Sequence, residues 1–155
     1  MTILIEQELS GTQKEAIFHL WNAEYPAVIQ LPALEDLDRY LAQQMPKYHL
    51  FLADDQGAVM GWLFLFEREE ETWFAMILDR AVQGQGHGTS LLKEAGRLIA
   101  IMNGWAIDTD EYFKADGSPY RSPLNFYRRT GFVVLENRLT QPFSAVKVRW
   151  ERNSL

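Results

Sequence analysis

Three strand-type segments between residues 48 and 78 constrain the fold of this chain more than any other feature. Their sequences are YHLFLA (48–53), AVMGWLFLFERE (58–69) and TWFAMIL (72–78). The turn DDQG separates the first two segments, and a turn around Glu70 separates the last two. Connections this short join antiparallel neighbours, because a parallel pair needs a long crossover. The centre of the chain is therefore predicted to be an antiparallel meander.

The segments on either side of the meander predict a mixture of helices and strands, according to the spacing of their apolar residues. We expect Thr12 to cap the first helix, Ser122 and Pro123 to begin the last helix, and the pair NG at 103–104 to end the helix before it. The expected elements are a strand at 2–9, helices at 11–25, 34–45, 89–102 and 122–131, and strands at 105–110, 132–139 and 143–150.

The order of these elements, β-α-α-β-β-β-α-β-α-β-β, predicts a mixed α/β arrangement of the α+β class. The length of 155 residues fits one domain, and no repeat or linker divides the chain, so residues 1–155 are expected to form a single domain. The C-terminal residues RNSL are the part that we expect to be disordered.

The composition excludes several kinds of site. The chain has no cysteine, so it forms neither a disulfide nor a thiolate metal site. The three histidines, His19, His49 and His87, lie far apart without the spacing of metal ligands, and no metal is expected. The net charge of −6 argues against a non-specific nucleic-acid surface. It mildly favours cationic substrates, although solubility alone explains it as well.

Nothing in the sequence predicts contact with a membrane. No apolar run approaches the length of a membrane span. The N-terminal stretch MTILIEQELS has neither the basic part nor the long apolar part of a signal peptide. We therefore expect a cytoplasmic protein with no membrane and no nucleic-acid partner.

The stretch AVQGQGHGTSLL (81–92) places three glycines at alternate positions before a helix. Glycines at a helix N-terminus let backbone amides point at an anion, and the helix dipole adds a favourable potential. Residues 84–89 are therefore a candidate cradle for a phosphate or pyrophosphate; a flexible loop is the alternative. The dinucleotide-binding fingerprint is excluded because Thr89 stands where its third glycine is needed, and the P-loop is excluded because the chain has no Gly-Lys pair.

Two motifs give the chain a resemblance to a known family. The stretch QGQGHG matches the pattern Gln/Arg-x-x-Gly-x-Gly/Ala, with Gln83, Gly86 and Gly88 at its defining positions. Downstream, NFYRRTGF (125–132) matches the pattern aromatic-Tyr-x-x-x-Gly-Phe. Together with the element order, these motifs resemble the GCN5-related N-acetyltransferase (GNAT) superfamily over nearly the whole chain. The resemblance implies a central, mostly antiparallel twisted sheet of six to seven strands, flanked by about four helices and splayed at the cofactor site.

The resemblance also implies an acetyl-CoA-dependent N-acetyltransferase in which a primary amine attacks the thioester directly. The pyrophosphate would bind the glycine loop, and the pantetheine arm would pair with the end of the strand at 72–78. A splay between that strand and the strand at 105–110 would make room for the arm. A backbone amide near Leu78 would stabilise the oxyanion. The implied cofactor-binding residues are Met76, Ile77, Leu78, Gln83, Gly84, Gln85, Gly86, His87, Gly88, Thr89 and Asn125.

Tyr127 matches the general acid of this family. An unperturbed phenol has a pKa of about 10, so it stays protonated near neutrality and can donate a proton to the departing CoA thiolate. Packing beside Phe126 and Phe132 is the alternative role.

The resemblance gives less help with the base, because its position varies in the family. Asp108 and Asp110 are expected on one face of the strand at 105–110, and Asp108 is the nearer match to an acidic residue that acts as base in some members. Glu70 and Glu71 precede the strand at 72–78, where other members carry a glutamate. Each of these four residues could instead be solvated.

The chain departs from the family pattern at two places. Many members carry an asparagine seven residues before the tyrosine, whereas this chain has Tyr120 there, and Asn125 lies close by but out of register. The segment at 111–120 is also longer than usual. It borders the expected acceptor site, so Tyr112, Phe113 and Tyr120 are candidates for shaping specificity, and a plain surface loop is the alternative. His87 is interpreted as a residue at the start of the helix.

The sequence leaves the acceptor open: small polyamines, aminoglycosides, amino acids and the N-termini of peptides or proteins all fit. A propionyl or succinyl donor would use the same glycine loop, and a homodimer is compatible with the pattern. The alternative function is a non-catalytic domain of the same fold that binds CoA or another protein. A nucleic-acid module is disfavoured by the acidic charge and the lack of a basic stripe.

Overall fold

Seven strands form one sheet in the computed structural model, which describes residues 1–152. The strands are β1 (Thr2–Glu6), β2 (Met45–Ala53), β3 (Val59–Arg68), β4 (Glu71–Leu78), β5 (Ile101–Ile107), β6 (Val133–Leu139) and β7 (Ala145–Glu151). The helices are α1 (Gly11–Glu24), α2 (Leu34–Ala42), α3 (His87–Leu98) and α4 (Leu124–Arg129), with short 3₁₀ turns at Ala27–Ile29 and Arg80–Val82. None of these helices is long and apolar enough to cross a membrane.

The strand order is β1-β2-β3-β4-β5-β7-β6, and every neighbouring pair except β4 and β5 is antiparallel. The meander predicted between residues 48 and 78 is confirmed. So is the predicted fold class, a mixed α+β sheet that is mostly antiparallel and carries four α-helices. The connection from β4 to β5 runs through α3, as a crossover between parallel strands must.

The parallel pair β4 and β5 is joined at one position only, where Trp73 lies beside Asn103. Beyond this point the two strands diverge, and no backbone pairing joins β5 to residues 74–78 within the described chain. A glycine in β5 adapts the sheet to the bulky side chain next to it: a Cβ on Gly104 would lie only 2.5 Å from Cε1 of Phe74. The splay predicted from the family resemblance is therefore present.

The two faces of the sheet bury different side chains. On β3, Trp62, Phe64 and Phe66 point to the face covered by α1 and α2, while Leu63 and Leu65 point to the face covered by α3 and α4. Both sets are nearly or completely buried. A strand buried on both faces has a continuous apolar sequence, and period-two alternation divides its residues between the faces. The stretch WLFLF therefore contributes to two separate cores.

The boundary between α3 and β5 differs from the sequence prediction. The helix was expected over 89–102, with the pair NG as its end, but α3 ends at Leu98 and Asn103 and Gly104 lie inside β5. The side-chain amide of Asn103 donates to the Thr72 carbonyl oxygen, which fixes this part of the chain in the sheet. Tertiary contacts thus overrode the local signal, since apolar residues at 101 and 102 fit either a helix or a strand.

Two helix starts also differ from the prediction. α1 is capped by Ser10 and not by Thr12: the Ser10 hydroxyl accepts from the Gln13 amide, and the Gln13 side chain accepts from the Ser10 amide. This pairing is a capping box with glutamine at its third position. At α4 the N-cap residue is Pro123 and not Ser122, although the Ser122 hydroxyl accepts from the Leu124 amide over 3.3 Å and donates to the Ile107 carbonyl oxygen. The helix predicted at 34–45 ends at Ala42. Most of the segment predicted to be disordered, residues 153–155, lies outside the described residues.

Candidate active site

A cleft of about 1570 Å³ occupies the space where β4 and β5 diverge. Its lining includes Phe74 and Met76 from the α3 face of β4, and Trp73 and Ala75 from the α1 face. The cleft therefore reaches both faces of the sheet through the gap between the two strands. We call its α3 side the cofactor side and its α1 side the acceptor side.

The glycine loop lies on the cofactor side, immediately before α3. Gly84 and Gly86 adopt positive φ angles of 75° and 87°, a region that favours glycine. Within residues 1–152, no group accepts a hydrogen bond from the backbone amides of residues 83–89; the first amide of the helix to be bonded is that of Ser90, which donates to the Gly86 carbonyl oxygen. The loop therefore presents a set of free donors at a helix N-terminus, which is the environment an anion needs.

The third glycine of the loop has a packing role. A Cβ on Gly88 would lie 3.0 Å from Cζ of Phe126 and 3.3 Å from Cδ1 of Leu78, so its absence allows α4 to approach the loop closely. The Gln83 side-chain amide donates to the Leu78 carbonyl oxygen over 2.8 Å and ties the loop to the end of β4. These contacts connect the loop to the end of β4 and to α4.

Most of the predicted cofactor residues lie together in the cleft. Those in its lining are Met76, Ile77, Leu78, Gln83, Gly84, Gly86, Gly88 and Thr89. The lining formed by the described residues does not include Gln85, His87 or Asn125. The Gln85 side chain donates to the Ala81 carbonyl oxygen, and the Asn125 side chain accepts from Arg128 on the exposed surface of α4. The lining also contains cations that the sequence reasoning missed, among them Lys93 on α3 and Arg129 on α4.

Tyr127 lies in the wall of the cleft, with only 6% of its surface exposed. Its ring packs edge-on against Phe74, Phe126 and Phe132, with centroid distances of 5.2–5.5 Å. Burial raises the pKa of the phenol, and the nearby Tyr120 hydroxyl raises it further. No described residue forms a hydrogen bond with the Tyr127 hydroxyl. The group is therefore a protonated donor without a protein partner.

Asp108 lies just beyond the end of β5, which stops at Ile107, and so the prediction that Asp108 and Asp110 share a face of this strand is wrong. The Asp108 carboxylate accepts from Ser144 over 2.8 Å and pairs with Arg138 over 2.5 Å. The Ser144 hydrogen bond, together with the Arg138 guanidinium, lowers the pKa of Asp108. Asp108 is absent from the lining that residues 1–152 form. Asp110 accepts from the Ser122 amide.

The glutamates considered as alternative bases lie at the start of β4 and in the turn before it. Glu71 pairs with Arg149 over 2.6 Å, and Glu70 occupies the turn with a positive φ of 66°. Neither belongs to the lining formed by the described residues. Within that lining the single carboxylate is that of Glu24, on α1.

Glu24 is 5% exposed and has two cationic partners. One oxygen accepts from Lys114 over 2.8 Å, and the other accepts from the Arg80 backbone amide and side chain over 3.2 and 3.1 Å. Arg80 also pairs with Asp116 over 2.7 Å. The segment at 109–121 is therefore bound to α1 by the buried Lys114–Glu24 pair and to the turn after β4 by the exposed Asp116–Arg80 pair. It forms a wall of the cleft and carries Tyr120 and Lys114 into it.

Of the three aromatic residues predicted to shape specificity, only Tyr120 lines the cleft among the described residues. The Tyr112 hydroxyl accepts from the Ser144 amide, and Phe113 is 60% exposed.

Tyr25 and Tyr40 join Tyr120 on the acceptor side. Burial raises the pKa of Tyr40 and of Tyr120 to about 12, and it raises the pKa of Tyr25 as well. These phenols stay neutral and offer hydroxyl groups to a ligand.

Sequence reasoning missed most of the acceptor side. Its side chains come from α1, α2, three strands and the segment at 109–121, and the members include Trp21, Tyr25, Tyr40, Phe66, Arg68, Trp73, Trp105 and Lys114. The aromatic residues on helices carry the same signal as ordinary core residues. The one usable signal is the alternation of aromatic residues along β3, which marks one face of the sheet as aromatic.

Comparisons with known proteins agree with this geometry. No curated protein sequence matches the chain significantly. An acyl-CoA N-acyltransferase from Pseudomonas aeruginosa has a similar structure, with a TM-score of 0.68, 18% identity, and coverage of 96% of this chain and 97% of that one. A GNAT superfamily phosphinothricin acetyltransferase from Sinorhizobium meliloti, solved with AcCoA, has a TM-score of 0.65, 14% identity, and coverage of 97% and 89%.

A spermidine N-acetyltransferase variant from Vibrio cholerae is similarly related, with a TM-score of 0.65, 15% identity, and coverage of 97% of this chain and 95% of that one. Identities this low show a shared fold only. The family is shown by sequence: the profile of the acetyltransferase (GNAT) domain matches residues 46–134, which is more than half of the chain and includes both the glycine loop and Tyr127. The chain therefore belongs to the GNAT acetyltransferase family.

Proposed function

We propose that this chain is an acetyl-CoA-dependent N-acetyltransferase for a primary amine, with residues 1–155 as one catalytic domain. The observation that carries the proposal is the combination, in one cleft, of the free amides at 83–89 and the unpartnered hydroxyl of Tyr127. The two groups lie where β4 and β5 diverge. The structural relatives solved as acetyltransferases support the same assignment.

The cofactor side fits acetyl-CoA through its donors and its charge. The free amides of residues 83–89 would hold the pyrophosphate, and Lys93 and Arg129 supply positive charge from α3 and α4. The backbone of residues 76–78, which β5 leaves unpaired, would pair with the pantetheine arm. When bound, acetyl-CoA supplies an acetyl group activated as a thioester.

Tyr127 would act as the general acid. In the proposed reaction the amine nitrogen would add to the acetyl carbon to give a tetrahedral intermediate. The carbon–sulfur bond would break as this intermediate collapses, and the Tyr127 phenol would donate its proton to the leaving sulfur. Water then restores the proton to Tyr127. Negative charge that develops on the carbonyl oxygen can be stabilised by an unpaired backbone amide near Leu78.

The attacking amine must lose a proton, and Asp108 stays the predicted base. Its hydrogen bonds to Ser144 and Arg138 and its lowered pKa mean that it would accept the proton only through water. The variant Asp108→Asn tests this role. A kcat that falls at least tenfold, with a changed pH profile, supports it; an unchanged kcat removes Asp108 from the mechanism.

Calorimetric titration with acetyl-CoA, followed by a turnover screen, tests the whole proposal. The screen would compare polyamines, aminoglycosides, amino acids and peptide N-termini. Because the chain contains no cysteine, a thiol reagent would report released CoA without a signal from the protein. Binding without turnover on any amine favours a non-catalytic CoA-binding domain, and absence of binding rejects the proposal.

A further inference from the structure

The charged side chains of the cleft are unbalanced. The lining contains one carboxylate, that of Glu24, and five cations, Arg68, Lys93, Lys114, Arg121 and Arg129. Lys114 and Arg80 already neutralise Glu24. The wall formed by the described residues therefore offers no free carboxylate to a second ammonium group on a substrate, although the whole chain carries a net charge of −6.

Arg68 is the cation of interest on the acceptor side. It lies at the end of β3, and its guanidinium carbon is 5.0 Å from the ring centroid of Phe66 and 5.4 Å from that of Trp73. Its hydrogen bond is to Gln44, a neutral side chain, over 3.3 Å. Within residues 1–152, no carboxylate forms an ion pair with Arg68. Glu71 lies opposite Arg68 in the pairing of β3 with β4, but its carboxylate bonds to Arg149. Arg68 is thus held in place by neutral contacts and has no ion pair of its own among the described residues.

The cations next to Arg68 do have acidic partners. Lys147 lies 5.0 Å from the ring centroid of Trp73, and Glu71 is shared between Lys147 at 3.9 Å and Arg149 at 2.6 Å. Arg149 also pairs with Glu151 over 2.8 Å. Two carboxylates therefore bond to these two cations, and Arg68 is the cation beside Trp73 that has no ion pair among the described residues.

We propose that the acceptor is an amine that carries a carboxylate on the same molecule, and that Arg68 binds this carboxylate. The inference rests on the proposed function and names the substrate class of the same site. A guanidinium presents a fork of N–H donors that matches a carboxylate, and the surrounding aromatic rings strengthen the attraction by excluding water. A diamine would instead place its second ammonium beside Arg68, where the two charges repel.

The geometry also indicates the length of the acceptor. Arg68 contacts Trp73, and Trp73 lies three residues before Met76 along β4, a distance of about 10 Å at the usual rise of a strand. Because residues 76–78 line the expected thioester site, the amine and the carboxylate should be separated by several carbon atoms. We expect an ω-amino acid of the length of 6-aminohexanoate to fit this spacing better than a shorter amino acid.

Matched acceptors test the inference. The assay compares 6-aminohexanoate, hexylamine and 1,6-diaminohexane, which share the same chain and differ at the far end, and includes 3-aminopropanoate as a shorter carboxylate. We expect kcat/KM for 6-aminohexanoate to exceed that for each of the other three at least tenfold. The variant Arg68→Gln should lower the preference for 6-aminohexanoate over hexylamine at least tenfold, mainly through KM, and Arg68→Lys should restore part of it.

The control variant Arg97→Gln removes the same charge from an exposed position on α3, where Arg97 pairs with Glu94. It should leave the preference unchanged. An Arg68→Gln protein that binds acetyl-CoA as the parent does is folded. Equal kcat/KM for 6-aminohexanoate and hexylamine in the parent, or a preference that survives in this variant, would overturn the inference while the proposed function stands.

A binding measurement keeps the inference testable if no turnover occurs. Trp73 and Trp105 line the cleft, so tryptophan fluorescence should report ligands there. N-acetyl-6-aminohexanoate should bind at least tenfold more tightly than N-hexylacetamide, and Arg68→Gln should abolish the difference. Equal affinities would reject the carboxylate site. Failure of acetyl-CoA to bind in calorimetry would reject the proposed function separately.

Discussion

The two sides of the cleft use different parts of the chain for their chemistry. The cofactor side presents backbone amides from one continuous loop, above a core in which leucine, alanine and valine side chains predominate. The acceptor side presents side chains from many elements, above a core rich in tryptophan and phenylalanine. A ligand common to a family can be bound by backbone groups, which every sequence has. A variable acceptor needs groups that a sequence can change one at a time, and side chains provide them.

Tyr127 lies where the two sides meet, and removal of its hydroxyl should have the largest effect on the rate of acetyl transfer. Tyr127→Phe keeps the ring that packs against Phe74 and Phe132 but removes the proton donor. General-acid catalysis contributes about a hundredfold to ten-thousandfold in rate. We expect kcat to fall at least tenfold, allowing for water as a substitute donor, with near-normal acetyl-CoA affinity and near-normal stability. Steady-state kinetics, calorimetry and urea unfolding would measure these quantities.

The outcome of that experiment separates two roles. A variant that turns over at the parental rate on a good acceptor would show that the tyrosine is structural. A variant that loses stability together with rate would support the packing role.

The pH profile of kcat gives a second test of Tyr127. Because burial raises the pKa of Tyr127, its phenol should stay protonated from neutrality to pH 10, and the profile should show no fall caused by this group below pH 10.

Local signals explain what the sequence could predict. The meander followed from short turns, and the glycine loop lies within a few consecutive residues, so both could be recognised without tertiary information. The end of α3 could not, because Asn103 and Gly104 resemble a helix stop and become strand residues only through contacts with Thr72 and Phe74.

The acceptor side was out of reach for a different reason. Arg68 and Trp73 become neighbours through strand pairing, and Glu24 meets Lys114 across 90 residues of chain. Nothing in the local sequence around any of these residues marks it as part of a site. The position of Asp108 illustrates the same limit: its spacing suggested a strand residue, whereas its two partners, Arg138 and Ser144, come from distant segments.

The aromatic core beneath the acceptor side contains a titratable group, His49. Its ring stacks on Phe64 at 4.7 Å, and its Nδ1 accepts from the Trp62 indole over 3.1 Å. Burial lowers the pKa of His49 to about 4, from the usual histidine value of 6.5. The folded state therefore binds this proton less readily than the unfolded chain. The resulting stability is fully present above pH 6.5 and is lost as the pH falls towards 4.

That loss should reach at most about 3 kcal/mol, from the difference between the two pKa values. Urea unfolding at several pH values would measure it. In His49→Gln this part of the pH dependence should disappear, whereas His19→Gln, at an exposed histidine of α1, should behave as the parent does. A parental slope between pH 6.5 and 4 in His49→Gln would refute the assignment to His49.

The ion pair between Glu24 and Lys114, in the wall of the acceptor side, should contribute less to the free energy of unfolding than the neutral state of His49 does. Glu24→Gln keeps the shape of the side chain but leaves Lys114 without a counter-ion in a largely buried position, whereas Arg80 keeps its pair with Asp116. We expect a loss of about 2 kcal/mol in the free energy of unfolding, in line with hydrogen bonds to charged groups. Acetyl-CoA affinity should change less than about threefold, because the free amides of the glycine loop are untouched.

The matched control for this variant is Glu94→Gln, which breaks the surface pair with Arg97 on α3. Exposed pairs of this kind are worth about 0.5 kcal/mol or less. If Glu24→Gln and Glu94→Gln are equally stable, the buried charges do not hold the wall. If Glu24→Gln instead lowers acetyl-CoA affinity more than it lowers the free energy of unfolding, residues of the acceptor side contribute to cofactor binding, and the contrast between the two sides fails.

The glycine loop offers the converse test, in which binding changes and the fold does not. Gly86→Asp adds a negative charge at the N-terminus of α3, at a backbone with a φ of 87° that side chains rarely adopt. The charge repels a pyrophosphate, and the strain shifts the free amides. We expect acetyl-CoA affinity to fall at least tenfold, about 1.4 kcal/mol. Gly86→Asn is the control, because asparagine has the same shape, tolerates positive φ and carries no charge. In calorimetry at low salt, Gly86→Asp should bind acetyl-CoA more weakly than Gly86→Asn does. At high salt the difference in affinity should narrow, because salt screens the charge. Unchanged affinity in a folded Gly86→Asp protein would place the pyrophosphate elsewhere, and equal losses in the two variants would assign the effect to the backbone alone.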